Sequence, residues 1–204
     1  VAEAAETRRS VMIAGHFGFA AAVKSRETTT PLWALMLATV WLDIVFVPLF
    51  MAGIETAQKV GDAHGGYGAL IIHADYTHSF VGMAVLSIVL GCLCGLFWGR
   101  RSGIVIGLVA ASHWFLDLFV HRADLPILPG NIGNLPTFGF GLWQYPWVSA
   151  VIELALVLGG AWLYWRAANR AAAAAGKGQR AAAISAVLIA IFGVLILWMD
   201  FTAA

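Results

Sequence analysis

Residues 80–98 read FVGMAVLSIVLGCLCGLFW, running from Phe80 to Trp98 without a charged side chain. An apolar stretch of about twenty residues is what an α-helix needs to cross a hydrocarbon core about 30 Å thick. Four further runs are comparable: Pro31 to Ile54, Gly103 to Val120, Trp143 to Trp165 and Ala181 to Phe201. Together they predict an all-α fold, a polytopic transmembrane helical bundle with five spans. A sixth run, Val11 to Val23, is only about 20 Å long as a helix. It is expected to be a short N-terminal crossing or a re-entrant piece. With 61% hydrophobic and 11% charged residues, the composition excludes an ordinary soluble domain, in which about a quarter of residues are charged. The bilayer is therefore the expected solvent, and a net charge of +1 argues against a nucleic-acid partner.

A chain of 204 residues committed to these spans leaves room for one transmembrane domain, residues 12–204, preceded by a polar segment, residues 1–11. The polar segment reads as an N-terminal extension or an expression remnant. No cleavable signal peptide is evident. Cys92 and Cys94 point in different directions on a helix and read as core residues, neither a disulfide nor a ligand pair. Arg100-Arg101-Ser-Gly reads as a tight turn, and Ala167 to Arg180 as a basic connector. Lys24, Arg26, Arg100, Arg101, Arg166, Arg170, Lys177 and Arg180 fall on one face of the predicted bundle, which the positive-inside rule makes cytoplasmic. The long connectors, Glu55 to Ser79 and His121 to Leu142, then face outward. Trp98, Trp143, Trp147, Trp165 and Trp198 lie near span ends and read as interfacial anchors.

Five of the six histidines fall in four short motifs: Gly15-His16-Phe17-Gly18, His73-Ala-Asp-Tyr-Thr-His78-Ser79, Ser112-His113-Trp-Phe-Leu-Asp117 and His121-Arg-Ala-Asp124. His113 and Asp117 are four residues apart on a helix and share a face, which His121 continues one turn later. Imidazole and carboxylate donors converging from several elements suit a divalent ion, zinc above all. Asp43 lies inside an apolar span, where a carboxylate persists only with a partner. A single intramembrane histidine is more often a helix-packing residue. The set His16, Asp43, His78, His113 and Asp117, brought to one depth near the outer face, instead reads as a metal site, with His73 as a further candidate ligand. His121, Asp124 and Asp75 read as interfacial or ligand-orienting groups, with Arg122 as a partner for a carboxylate or an anion. Glu153, inside a span, reads as a general base, a proton carrier or a polar packing contact.

At these motifs the sequence resembles the YdjM-like family of bacterial inner-membrane proteins, described as LexA-regulated metal-dependent hydrolases. The resemblance runs from about Met12 to Pro129 and rests on Gly15-His16, Asp43-Ile44, Thr77-His78-Ser79 and His113-x-x-x-Asp117, followed by Leu125-Pro126-Ile-Leu-Pro129. It implies metal ligation by His16, Asp43, His78, His113 and Asp117, with His73 as a sixth candidate, and a distant kinship of chemistry with zinc-dependent phospholipases C. Two positions depart from the family pattern. Its Pro-Asp-x-Asp reads Leu42-Asp43-Ile44-Val45, and its His-Arg reads His73-Ala74, which weakens the expectation of a second metal and of a phosphate clamp.

The leading expectation is a metal-dependent hydrolase of the bacterial inner membrane, opening to the extracytoplasmic side and acting on an ester or phosphoester of a lipid or lipid-linked substrate. His121, Asp124 and Glu153 are then its candidate proton carriers. The competing expectations are a metal-ion or proton transporter, a haem-binding membrane subunit with paired histidines, and a structural subunit of a larger complex.

Overall fold

A computed structural model of the protein describes residues 13–59 and 70–202. His64, the polar N-terminal segment and Met12 lie outside the described residues. Among the described residues the fold has six α-helices and one small β-hairpin: α1 (Ile13–Lys24), α2 (Leu32–Thr39), α3 (Trp41–Met51), β1 (Thr56–Lys59), β2 (Leu70–His73), α4 (Phe80–Val120), α5 (Pro146–Ala174) and α6 (Arg180–Thr202). Three of them, Phe80–Val120, Pro146–Ala174 and Arg180–Phe201, are long and apolar enough to cross a membrane. The bent pair α2/α3 is a fourth if counted as one span. Leu96 and Phe97 are more than four-fifths exposed, a surface suited to lipid and not to water.

The sequence predicts two spans between Phe80 and Val120, whereas one helix is assigned there. That helix is not a straight rod. Gly99 adopts φ 82° and ψ 159°, a left-handed conformation that costs glycine little and other residues much. A methyl group built on Gly91 would lie 2.8 Å from the Gly103 carbonyl oxygen, although residues twelve apart on a straight helix are separated by about 18 Å. The chain therefore folds back at Gly99 into two antiparallel arms, 80–98 and 100–120. The reversal comes just before the arginine pair at which sequence places a turn. Small residues at 87, 91, 95, 103 and 107 let the two backbones approach closely.

The second predicted span is also interrupted. α2 and α3 meet at Val40 (φ −113°, ψ 21°) with a 48° bend. Pro48, inside α3, can donate no backbone hydrogen bond. The short α1 is buried at the centre along Ala14, Gly15, His16, Gly18, Ala20 and Ala21. It packs so closely on α5 that a side chain on Gly160 would overlap the Gly18 carbonyl.

At one end of the bundle, buried Glu27 accepts hydrogen bonds from the Thr29 hydroxyl and the backbone N–H groups of Thr29 and Thr30. It also pairs with Arg101 at 3.3 Å. Burial by itself would raise the Glu27 carboxyl, but these hydrogen bonds and the guanidinium outweigh it and hold the group at about 2. The hairpin tip is thereby tied to the α1–α2 turn. An apolar layer of Ala20, Ala34, Leu35, Ala38, Ile106 and Val109 follows. The opposite end carries the β1/β2 hairpin, antiparallel with Thr56 opposite His73, and the connector after α4. This connector is held down: its Pro126 and Ile127 carbonyls accept the first two N–H groups of α4, donors that a helix start leaves free.

Candidate metal centre

The reversal at Gly99 brings His78, just before the first arm, beside His113 in the second. Their Nε2 atoms are 3.2 Å apart across 35 residues of sequence. Asp117, one turn after His113, places Oδ2 3.0 Å from His113 Nε2 and 3.6 Å from His78 Nε2. Its other oxygen, Oδ1, lies 3.5 Å from His16 Nε2. Asp43, in the first turn of α3, puts Oδ1 3.6 Å from both His78 and His113. His16, His78, His113 and Asp117 are almost wholly buried.

Two overlapping groups of side chains, His16/His113/Asp117 and Asp43/His78/His113, hold their donor atoms within 4.8 Å of one another and can hold a metal ion. Ligand atoms about 2.1 Å from one ion sit roughly 3.0 to 3.4 Å from their neighbours in octahedral or tetrahedral shells. The shortest separations here match that spacing.

Each element delivers its side chain for a local reason. Ser79 caps the first arm of α4, its hydroxyl accepting the Gly82 N–H at 3.0 Å, which fixes where His78 leaves the loop. The Trp114 indole donates to the His78 carbonyl at 2.8 Å and ties the two arms at the level of the site. The break at Val40 leaves the Thr39 carbonyl to receive His113 Nδ1 at 2.7 Å, while the Thr39 hydroxyl donates to the His16 carbonyl at 3.2 Å. A carbonyl only accepts, so His113 Nδ1 carries a proton, and in the neutral ring the lone pair is on Nε2, facing the cluster. Thr39, Trp114 and Glu55 are absent from the sequence-predicted site.

The remaining predicted residues are placed as follows. His121 Nδ1 donates to Asp124 Oδ1 at 2.9 Å, and its Nε2 lies 3.8 Å from Asp117 Oδ2. Burial would lower the His121 imidazole, but the Asp124 hydrogen bond and the charges of Asp117 and Asp124 raise it above its ordinary value. Trp143 is not an interfacial anchor. It is 2% exposed and packs its ring 4.4 Å from that of His121. Glu153 is fully buried and accepts the Gly15 N–H at 3.2 Å, so it holds the turn of α1 that carries His16. His73 ends β2, half-buried, and belongs to neither donor group. Asp75 is half-buried, and its carbonyl accepts the Gly130 N–H. Cys92 and Cys94 are free.

Fold and site together define a membrane-type helical bundle with a buried histidine and aspartate cluster able to hold a metal ion. In comparisons with protein families, curated proteins and solved structures, nothing matches the chain.

Proposed function

We propose that the protein is a membrane-embedded, metal-dependent hydrolase, akin to the YdjM-like proteins, that cleaves an ester or phosphoester of a lipid or lipid-linked substrate. In this reading the bundle crosses the bacterial inner membrane five times, through the bent pair α2/α3, the two arms of α4, α5 and α6. Its cluster opens to the extracytoplasmic side, opposite the arginine-bearing hairpin tip. One observation carries the proposal: two buried imidazoles with Nε2 atoms 3.2 Å apart, each within 3.6 Å of two carboxylates.

A divalent ion held there, zinc by the mixture of nitrogen and oxygen donors, supplies a Lewis acid for the scissile group and acidifies a water. The chain's own groups do the rest. Asp117 and Asp43 offset the cation's charge in a low-dielectric interior. His121, oriented by Asp124 and within 4 Å of Asp117, is placed to hold a proton at Nε2 and deliver it to a leaving oxygen. Glu153, bonded to Gly15, anchors the turn of α1 that carries His16. Trp143 and the connector after α4 shield the His121 side from water.

Two other readings fit less well. An ion path needs polar groups toward the Glu27 end, where the buried layer is Ala20, Ala34, Leu35, Ala38, Ile106 and Val109. Haem ligation by paired histidines needs room for a macrocycle, which the His78–His113 separation does not leave. The test is turnover by protein in lipid nanodiscs, treated with a chelator and then given back zinc or manganese, against a panel of phospholipids and lipid phosphates. Activity lost on stripping and restored by metal is expected. Activity unchanged by stripping contradicts the proposal, as does a metal-loaded protein that turns over nothing.

A further inference from the structure

Glu55 lies just before β1, outside every motif that points to the cluster, and is 1% exposed. Its Oε1 accepts the backbone N–H groups of Tyr76 and Thr77 at 3.0 and 2.8 Å. The Thr77 hydroxyl lies 3.0 Å from both Glu55 carboxyl oxygens and 2.8 Å from His78 Nδ1. A hydroxyl has one proton to give. Because a carboxylate only accepts, that proton goes to Glu55, and the Thr77 oxygen must accept from His78. His78 Nδ1 then carries a proton, and in the neutral ring the lone pair is on Nε2. The Thr39 carbonyl imposes the same arrangement on His113. With both rings neutral, two lone pairs face each other across 3.2 Å, with Asp43 and Asp117 beside them. A cation between them relieves that arrangement, and a ring proton on either Nε2 would oppose metal entry.

We infer that Glu55 is a positioning residue for the cluster, acting through the Thr77 hydroxyl to keep His78 in the tautomer whose Nε2 is free to bind a cation. Groups of this kind, one bond removed from a metal, typically change affinity 10- to 100-fold when altered. The inference rests on the metal-site reading for its purpose, but the tautomer can be read without metal.

Two near-isosteric changes separate orientation from simple loss of structure. In Glu55→Gln the new amide can donate to Thr77, which frees the hydroxyl proton for His78 Nδ1 and moves the ring proton to Nε2. Thr77→Val removes the relay but keeps the shape and the backbone bonds to Glu55, and Thr77→Ser restores it. The experiment is nitrogen-15 NMR of histidine-labelled, metal-stripped full chain in nanodiscs, with zinc affinity measured by competition with a chelating dye. Wild type and Thr77→Ser should carry the His78 proton on Nδ1. Glu55→Gln should carry it on Nε2, Thr77→Val should lose the Nδ1 preference, and both should bind zinc about 10- to 100-fold more weakly. A wild-type Nε2–H, or a Glu55→Gln spectrum like wild type, overturns the inference. If wild type shows Nδ1–H yet binds no metal, the relay stands and the metal reading falls.

Discussion

The Thr39 residue clips two candidate ligands together: its carbonyl accepts from His113 Nδ1 at 2.7 Å, and its hydroxyl donates to the His16 carbonyl at 3.2 Å. The first contact depends on the interruption of helix α2/α3 at Val40, since an unbroken helix uses each carbonyl in its own ladder. Breaks of this kind are tolerated at membrane depth where protein surrounds them.

His113 is the donor shared by both candidate groups, so its removal should be the most damaging single change. For His113→Ala we expect bound metal, measured by mass spectrometry of size-purified protein, to fall below about a tenth of wild type, in line with loss of a direct ligand. Circular dichroism should show unchanged helix content.

His121 and Asp124 should behave differently. In the proposed mechanism their bond at 2.9 Å orients a proton carrier, not a ligand. His121→Ala and Asp124→Asn are expected to retain metal while turnover drops about 10²- to 10⁴-fold, the usual range for a general acid or base. Parallel loss of metal in either variant would instead make His121 a ligand.

The pH dependence of stability has a defined sign at the Glu27 end. Its folded value, about 2, is depressed from 4.5, so its contribution is complete above about 4.5 and is lost as pH falls through 2. That contribution is at most about 3 kcal/mol. Thermal unfolding in detergent should show wild type losing stability between pH 4.5 and 2, and Glu27→Gln losing less over that window.

Close backbone contact between α1 and α5 at Gly18 and Gly160 leaves no space for a side chain. Gly160→Val should cost about 3 kcal/mol, the upper part of the range for overpacking, seen as a lower midpoint of thermal aggregation. Gly159, with open space around its Cβ position, serves as the control and should tolerate alanine.

The proposed five-crossing topology makes a labelling prediction. In a chain with Cys92 and Cys94 replaced by alanine, single cysteines at Ser25, Arg100 and Gly178 should react with an impermeant maleimide only from the cytoplasmic side. Cysteines at Gly53 and Gly133 should react only from the other. Labelling of Arg100→Cys and Gly133→Cys from the same side would contradict the two antiparallel arms of α4 as separate crossings.

Much of this was legible in the sequence where physical cost leaves a mark. An aspartate inside an apolar run, and a histidine one turn before Asp117, mark themselves because buried polar groups need partners. Those residues are also the ones that the fold brings together. The tight turn near Arg100 is legible from charge, but its reversal at Gly99 is a matter of one residue's dihedral angles. Thr39 and Glu55 carry no such mark. Thr39 acts through a backbone carbonyl that any residue possesses, and Glu55 sits in a polar connector where a glutamate is unremarked, its burial created only when Tyr76 and Thr77 close over it. Trp143 lies at a span end like a membrane anchor, yet turns inward against His121. The β1/β2 hairpin within the connector was likewise not apparent.

X-ray absorption at the zinc edge, on full-length protein loaded with one equivalent of zinc, tests the metal site most directly. The account predicts a first shell of nitrogen and oxygen at about 2.0 to 2.1 Å, with outer scattering from two or more imidazole rings that diminishes in His78→Ala and His113→Ala. Zinc that fails to bind, or a spectrum without imidazole scattering, would contradict it.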